Sequence, residues 1–386
     1  MNTNETYIVK APGKLVLLGE YAVLEQGVPA VAASLSKEIY CYIRESDEVI
    51  FTSKRINISK VKFKYEDKKV KLISNVDEID VLSFSQNAME ISLRYLEEKG
   101  FTLKNFEINI LSDLSKKYGV KYGFGSSAAV TVSIIGAILY LHGVEINNNA
   151  NRNVIFKLSS IAHFISQGSG SGIDVAASTF GGLFIYKSYT SEWLREKINN
   201  MTSIQDLVNE KWEHFSYQKI MYLFDLFLCV GFTGKSASTR HFIKAVNEMR
   251  KTEEGQAFYD KFLKTSQSII KLFLLGIKDA NKEAINKAIT ANRNLLKELS
   301  AQSGIEMETP ALTKLIQIAK KYGVSAKFSG AGGGDCGYTI VYDNKIESLV
   351  KEDWKRNGIE PVDLKIEETG VCEINFAVEG SNDGTL

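Results

Sequence analysis

Residues 121–132 read KYGFGSSAAVTV, with two glycines one residue apart, two serines and two alanines ahead of an apolar run. Backbone this bare permits close approach, because glycine lacks a Cβ and tolerates positive φ. The partner is either another helix or a phosphate group. A phosphate is favoured at a helix N-terminus, where unpaired N–H groups and the helix dipole attract negative charge. Ser126 and Ser127 would then be helix caps, or ligands of a phosphate or of Mg²⁺.

Two further small-residue loops make simple helix packing a weaker explanation. They read QGSGSGID at 167–174 and SGAGGGDCG at 329–337, and each borders a predicted helix or strand. Successive N–H groups in such loops can cradle an anion. Asp174 precedes VAAS, the predicted first turn of a short helix. Its carboxylate either complements the helix dipole or accepts a proton from a substrate hydroxyl.

Two better-known phosphate motifs do not explain the 121–132 stretch. The P-loop pattern G-x-x-x-x-G-K-[ST] is absent from the chain. Gly123, Gly125 and Ala128 fit the loose dinucleotide pattern G-x-G-x-x-[GA]. That fingerprint needs a strand running directly into the first glycine, whereas the predicted strand ends near residue 111 and the polar stretch SDLSKKYGVKY follows it. A Rossmann site is therefore not expected.

The N-terminal stretch APGKLVLLGEYAVLEQGVPAVAAS, at 11–34, adds a candidate cation. Lys14 opens a predicted apolar strand over 14–19. A lysine at a strand edge is usually solvated, but one beside Pro12 and Gly13 and followed by a buried strand can instead point inward to a phosphate.

Length and composition limit the remaining possibilities. A chain of 386 residues is longer than a single hydrophobic core usually supports. We therefore expect two domains, 1–190 and 191–386. A formal net charge of +1 gives no general attraction for nucleic acid or membrane, and the apolar runs are too short to span a bilayer. Four scattered cysteines without a C-x-x-C pair, and no signal peptide, predict a cytoplasmic protein. A monomer and a homodimer both stay open.

Periodicity and turn residues predict alternating strands and helices. Strands are expected at 14–19, 38–44, 49–53, 60–65, 105–111, 180–186, 219–230, 325–329, 338–342 and 362–366. Helices are expected at 81–99, 127–141, 154–166 and 345–356, with three or four more between 238 and 321.

Three motifs, in order along the chain, resemble the signatures of the GHMP small-molecule kinases. They are APGKLVLLGEYAVLEQGVPA at 11–30, KYGFGSSAAV at 121–130 and FSGAGGGDCG at 328–337. The second motif, AHFISQGSGSGIDVAASTFGG at 162–182 and VGFTGKSASTR at 230–240 resemble the phosphomevalonate kinase branch. The resemblance implies an α+β fold, with an N-terminal domain like ribosomal protein S5 domain 2 and a ferredoxin-like C-terminal domain.

The same resemblance implies transfer of the γ-phosphoryl group of ATP to (R)-5-phosphomevalonate, on the mevalonate route to isoprenoids. It makes Lys14 the lysine that stabilises charge at the reacting phosphates, and Asp174 the carboxylate proposed as base in mevalonate kinases. The ATP phosphates are assigned to Gly123, Gly125, Ser126, Ser127 and Ala128, and Mg²⁺ to Ser127. The substrate is assigned to Tyr21, Lys121, Ser171, Gly172, Ser238, Arg240, Gly332, Gly333 and Asp335.

Two positions depart from the better-known mevalonate kinases. Tyr21 stands where they have a histidine, and His163 stands where they have an acidic Mg²⁺ ligand. Because Mg²⁺ prefers oxygen, we expect Ser127, ATP oxygens and water to hold it, with or without Asp174. His163 is then expected to be a packed or hydrogen-bonded residue.

The chemistry of the acceptor changes how much each residue is expected to contribute to catalysis. A phosphate has a second pKa of about 6, so it is largely ionised at pH 7, and phosphoryl transfer depends mainly on positioning and charge neutralisation. We therefore expect Lys14 to matter more than Asp174 as a proton acceptor. Bringing two anions together needs cations, and Lys121, Lys235 and Arg240 are the candidates.

Three other functions stay open at this point. A mevalonate kinase would phosphorylate mevalonate. The related diphosphomevalonate decarboxylase would release CO₂, although the third motif and GKSASTR argue against it. A non-catalytic sensor on the same scaffold is disfavoured by the presence of both Lys14 and Asp174.

Overall fold

The structure is a computed structural model that describes residues 5–74, 82–114, 122–201, 203–234 and 239–374. Within them, the strands form two separate sheets. The strands are β1 (Tyr7–Leu18), β2 (Pro29–Glu45), β3 (Val49–Ser53), β4 (Ile58–Glu66), β5 (Lys69–Leu72), β6 (Phe106–Ser112), β7 (Leu183–Lys187), β8 (Ser216–Lys219), β9 (Phe227–Phe232), β10 (Ala326–Phe328), β11 (Cys336–Val341), β12 (Glu360–Val362) and β13 (Cys372–Glu373).

The helices alternate with these strands along most of the chain. They are α1 (Ser83–Glu98), α2 (Ser126–Leu141), α3 (Asn149–Gln167), α4 (Ile173–Phe180), α5 (Ser191–Asn199), α6 (Ile204–Asn209), α7 (Thr239–Met249), α8 (Glu253–Lys278), α9 (Lys282–Ser303), α10 (Pro310–Lys321) and α11 (Asn344–Arg356). The predicted α+β class is therefore confirmed.

The first sheet has the order β13-β1-β2-β6-β3-β4-β5, with β7 and β8 branching from β2. Strands β1 and β2 run antiparallel along most of their length, with Lys14 opposite Ser34. Helices α2 and α4 pack on β1 and β2, while α1 and α3 pack on α2. Because α2 is covered on nearly every side, it tolerates an almost wholly apolar sequence.

The second sheet is antiparallel in the order β10-β11-β9-β12. Helices α10 and α11 pack on it around a small core that contains Trp354 and Leu315. The long helices α8 and α9 pack on each other, and α9 also contacts β10. The third glycine-rich loop joins β10 to β11, so this sheet presents that loop to the first one.

The predicted division at residue 190 stays a prediction, and the first sheet continues beyond it. Strand β8 pairs with β7, and the late strand β13 pairs with β1. Helix α6 contacts α1 and α3. Among the described residues, no helix is both long enough and apolar enough to cross a membrane.

Most predicted elements are present, and their ends show where local pattern fails. Strand β3 has the predicted bounds, and α2 and α11 each begin one residue before the prediction. Four helices occupy the region where three or four were expected. Helices α5 and α6, within a polar stretch, were not predicted.

Two strand predictions are wrong. The strand expected over 219–230 is the end of β8, a connection over 220–226, and the start of β9. The connection carries an apolar run, yet Leu223 is fully exposed, so apolar sequence alone did not identify a strand there. The strand expected over 362–366 ends at Val362, and beyond it a single bridge joins Ile366 to Leu35.

Candidate active site

One cavity of about 760 Å³ collects residues from all of the glycine-rich loops. Its wall includes Lys14 from β1, the N-terminus of α2, the 169–174 segment, and Gly330 and Asp335 of the third loop. Segments far apart in sequence therefore meet at one place. This is the behaviour expected of a binding site for a small molecule.

The loop over residues 122–125 enters α2 without a side-chain cap. Gly125 is the N-cap residue at φ 72°, and Ser126 and Ser127 lie in the first turn, so neither serine is the N-cap, which was one of the roles left open for them. The first helical hydrogen bond runs from the N–H of Ala129 to the Gly125 carbonyl at 3.2 Å. The N–H groups of Ser127 and Ala128 have no acceptor within the helix, which suits an anion.

Lys14 and Asp174 meet at Gly125. The backbone N–H of Lys14 donates to the Phe124 carbonyl at 2.9 Å, and its Nζ donates to the Gly123 carbonyl at 3.5 Å. A Cβ on Gly125 would lie 3.1 Å from Lys14 Cγ and 3.4 Å from Asp174 Cβ. The bare backbone is thus required by these two side chains as well as by any phosphate.

Asp174 lies in the first turn of α4, as predicted, and donor side chains fix the loop before it. Every carbonyl from residue 168 to 171 accepts a side-chain hydrogen bond. The donors are Arg195 to Gly168 (3.0 Å), Gln167 to Ser169 (2.9 Å), Ser191 to Gly170 (3.1 Å), and Tyr186 (2.5 Å) with Ser188 (2.8 Å) to Ser171. A glycine-rich loop is therefore held in one shape ahead of the carboxylate.

His163 is buried and has a hydrogen-bond partner, as predicted. Its Nε2 lies 3.1 Å from the hydroxyl oxygen of Ser127. Burial lowers the pKa of His163, so the imidazole is neutral at physiological pH. This contact fixes the Ser127 side chain at the edge of the cavity.

The third loop, at 329–337, packs closely against Gly123 and against Tyr21. A Cβ on Gly123 would lie 2.8 Å from the Asp335 carboxyl group. The Tyr21 hydroxyl donates to the Ala331 carbonyl at 2.6 Å, and burial raises the Tyr21 pKa. Tyr21 therefore holds the loop while it also lines the cavity.

The residues predicted for the site divide into three groups. Those that line the cavity are Lys14, Tyr21, Gly123, Gly125, Ser126, Ser127, Ser171, Asp174, Arg240 and Asp335. Those that pack elsewhere are Ala128, buried in α2, Gly172, against the hydroxyls of Tyr186 and Tyr189, and Gly332 and Gly333, against Met307 and Phe242. Lys121, Ser238 and Lys235 lie outside the described residues.

An apolar part of the cavity wall was not predicted. Its residues come from β3, α1, β6 and neighbouring segments, and they are Phe51, Ile56, Phe84, Ile110, Leu114 and Val130. Each fits an ordinary core pattern in the sequence. No local signal distinguishes them, because only the fold brings them to one side of the phosphate-binding loop.

The site offers few protein ligands for a metal ion. Among the described residues, no cluster of three or more His, Cys, Asp or Glu side chains is suited to bind one. The Ser127 hydroxyl and the Asp174 carboxylate are among the side-chain oxygen donors that line the cavity. Such a set fits Mg²⁺, which commonly takes one or two protein oxygens and completes its shell with phosphate and water.

Comparison with known proteins identifies the fold. A model of the GHMP kinases N terminal domain matches residues 86–182, and a model of the GHMP kinases C terminal domain matches residues 277–360. This chain belongs to the GHMP kinases. The members of that family are ATP-dependent phosphotransferases.

Individual relatives resemble this GHMP kinase over most of its length. A phosphomevalonate kinase from Streptomyces sp. (strain CL190) is 28% identical over 377 residues, which cover 94% of this chain and 98% of the relative. A mevalonate kinase from Thermococcus gammatolerans is 26% identical over 349 residues, covering 88% and 90%. The Streptococcus pneumoniae phosphomevalonate kinase with phosphomevalonate and AMPPNP has the same fold, at 24% identity and TM-score 0.79, covering 93% and 99%.

Proposed function

We propose that this GHMP kinase is a phosphomevalonate kinase. It transfers the γ-phosphoryl group of ATP to (R)-5-phosphomevalonate and releases ADP and 5-diphosphomevalonate, in the mevalonate pathway of isoprenoid biosynthesis. The observation that carries the proposal is the convergence of Lys14, Asp174 and the α2 N-terminus at Gly125, inside one cavity. A cytoplasmic location belongs to the same proposal.

The cavity offers complementary surfaces for the two ends of ATP. The N–H groups of Ser127 and Ala128 and the α2 dipole attract the phosphates. The apolar wall, which includes Phe51, Phe84 and Ile110, provides a surface for the purine base, since a base stacks favourably on aromatic and apolar side chains. We therefore assign the base to the β3–α1 side and the phosphates to α2.

We assign Lys14 to stabilising the negative charge on the phosphoryl group during its transfer. An oxygen of the acceptor phosphate attacks the γ-phosphorus, the bond from that phosphorus to the bridging oxygen breaks, and the electron pair leaves with ADP. Because charge is spread over the phosphoryl oxygens during this step, a fixed ammonium group stabilises it. The hydrogen bond from the backbone N–H of Lys14 to the Phe124 carbonyl keeps the lysine beside the phosphate loop.

Arg240 and Asp174 complete the assignment on the acceptor side. Arg240 is exposed at the start of α7 and reaches the cavity, so it can pair with the phosphate of the acceptor. Asp174 lies beside Lys14 across Gly125. Since an ionised phosphate needs little help from a base, we assign Asp174 to orienting Lys14 or the metal.

Mg²⁺ belongs to the proposal, and the hydroxyl of Ser127, with or without the carboxylate of Asp174, would hold it together with ATP. When bound, it neutralises charge on the phosphates. His163 keeps the Ser127 hydroxyl in place through the 3.1 Å contact with its Nε2.

A coupled assay of ADP release tests the acceptor. The purified chain is given ATP and Mg²⁺ with (R)-5-phosphomevalonate, with mevalonate, or with 5-diphosphomevalonate, and CO₂ release is followed in the third mixture. We expect ADP release with phosphomevalonate and none above background with mevalonate.

The other outcomes point to specific alternatives. Turnover with mevalonate alone would reassign the chain to the mevalonate kinases, which match 86–94% of its length at 25–27% identity. Release of CO₂ from 5-diphosphomevalonate would identify a decarboxylase. No turnover with any of the three would favour a sensor on this scaffold.

A further inference from the structure

A fully buried lysine joins the strand of Lys14 to the third glycine-rich loop. Lys327, in β10, is 0% exposed. Its ammonium group donates to the Leu17 carbonyl at 3.2 Å, to the Phe328 carbonyl at 2.6 Å and to the carboxylate of Glu20. All three N–H bonds of the ammonium group can therefore be used, and two of the acceptors lie at the end of β1.

An irregularity in β1 makes one of these acceptors available. Val16 pairs with Ala32 and Leu18 pairs with Val31, so Leu17 is an extra residue without a partner on β2. Such a bulge removes the residue from the ladder. The Leu17 carbonyl instead accepts hydrogen bonds from Lys327 and, at 2.6 Å, from the Tyr338 hydroxyl of β11.

Glu20 is buried as deeply as its partner. It is 4% exposed, and its second carboxylate oxygen accepts a hydrogen bond from Asn292 of α9 at 3.0 Å. Burial raises the pKa of Glu20 and lowers that of Lys327, while the ion pair opposes both shifts. Since two buried charges often contribute no more stability than a well-packed apolar pair, another role for this pair must be considered.

The contacts on either side of the ion pair also connect β1 with the third loop. Ser329 donates from its hydroxyl to the Val16 carbonyl at 2.7 Å. Tyr21, next to Glu20, donates to Ala331 inside the loop at 2.6 Å. Lys14 lies in the same strand, and Gly330, Ala331 and Asp335 line the cavity opposite it. The ion pair thus sits where the two halves of the phosphate site are joined.

We propose that Lys327 is a positioning residue for nucleotide binding. Through Glu20 and Leu17, it fixes the third glycine-rich loop relative to Lys14, so that both contact one triphosphate. The inference rests on the proposed function for the identity of that nucleotide. It does not depend on which acceptor receives the phosphoryl group.

The decisive variant removes both charges together. Lys327→Met alone leaves the Glu20 carboxylate buried without a counter-charge and is expected to unfold or aggregate. The double variant Glu20→Gln, Lys327→Met leaves no unpaired charge while removing the ionic link. We expect it to melt within a few degrees of the unmodified chain, with a KM for ATP and a Kd for a non-hydrolysable ATP analogue each raised at least tenfold.

The KM for the acceptor distinguishes a specific effect on nucleotide positioning from a general loss of rigidity in the protein. We expect the KM for phosphomevalonate to change less than threefold in the double variant, because Lys327 does not line the cavity and a glutamine at position 20 keeps the size of Glu20, which does line it. The matched control is Glu347→Gln, Lys351→Met, which removes an ion pair of 2.6 Å from α11, remote from the cavity wall. It should leave every one of these values unchanged.

Two milder variants keep the test decisive if the double variant does not fold. Ser329→Ala and Tyr338→Phe each delete one hydroxyl donor to β1 without enlarging a side chain. Combined, they should raise the Kd for the ATP analogue at least threefold at an unchanged KM for phosphomevalonate. Unchanged nucleotide affinity in the folded variants would overturn the positioning role of Lys327 and would leave the proposed function standing. No binding of the analogue by the unmodified chain would overturn this role together with the proposed function.

Discussion

Gly125 shows most clearly how one residue serves the site. Its φ of 72° is in the left-handed region, and its missing Cβ leaves room for Lys14 and Asp174. An alanine would meet backbone strain of about 1–2 kcal/mol and would also displace the two side chains assigned to the chemistry. The pattern of small residues predicted a ligand at this loop, but not these two protein neighbours.

Gly125→Ala should lower kcat/KM at least tenfold. Gly143→Ala is the matched control, because Gly143 has φ 84° and no atom within 4 Å of the added Cβ. Both variants should lose similar stability in a thermal melt, and only Gly125→Ala should lose activity in the coupled assay. Equal activity losses would show that strain, not displacement of Lys14 and Asp174, is responsible.

Lys14 and Asp174 should respond unequally to removal of their charge. Lys14→Met should lower kcat by about 10²–10³-fold, the size of a lost transition-state stabiliser. Asp174→Asn should cost less than about 10²-fold, because a general base is worth at least that much when it is needed. Steady-state kinetics with phosphomevalonate measure both, and circular dichroism checks the fold. An equally complete loss in the two variants would contradict the smaller contribution assigned to the carboxylate.

At the scale of elements, the end of α2 contains a buried histidine that links the helix to the approach to β6. His142 donates from Nδ1 to the Ile138 carbonyl at 2.7 Å, and its Nε2 accepts from the Lys104 N–H at 3.0 Å. A second proton would occupy Nε2 and break the bond to Lys104. Burial, with a smaller contribution from the Lys104 charge, lowers the pKa of His142, while the Ile138 carbonyl and Glu45 oppose the shift.

This arrangement predicts loss of stability in acid. The unfolded chain binds the proton near the ordinary histidine pKa of about 6.5, and the folded chain binds it only at lower pH. Stability is therefore fully present above pH 6.5 and declines as the pH falls toward the folded pKa. The melting temperature should drop between pH 7.5 and 5.5, and less steeply in His142→Asn. An unchanged slope in that variant would exclude His142 as a source.

The elements also show what local sequence can and cannot determine. Strand β3 and helix α2 were predicted almost to the residue, because alternation and a helix-length apolar run are local signals. Helices α5 and α6 were not predicted, because their sequence is mostly polar and they are stabilised by packing on α3 and α1. The apolar connection over 220–226 was wrongly predicted to be part of a strand, since hydrophobic composition does not reveal which residues lack a sheet partner.

At the scale of the whole molecule, the glycine-rich loops were found from sequence, but their connections were not. The pairing of Glu20 with Lys327 joins residues 307 positions apart. The apolar cavity wall similarly collects Phe51, Phe84 and Ile110 from separate elements. Motif spacing carries no information about such contacts, because they depend on how the two sheets are placed against each other.

The central claim is that α2 and Lys14 bind the same triphosphate. A crystal structure of the chain with phosphomevalonate and a non-hydrolysable ATP analogue tests it directly. We expect the N–H groups of Ser127 and Ala128 and the Nζ of Lys14 to lie about 3 Å from phosphate oxygens, with the acceptor phosphate facing the γ-phosphate. A triphosphate bound away from α2, or a Lys14 side chain directed into solvent, would contradict the account.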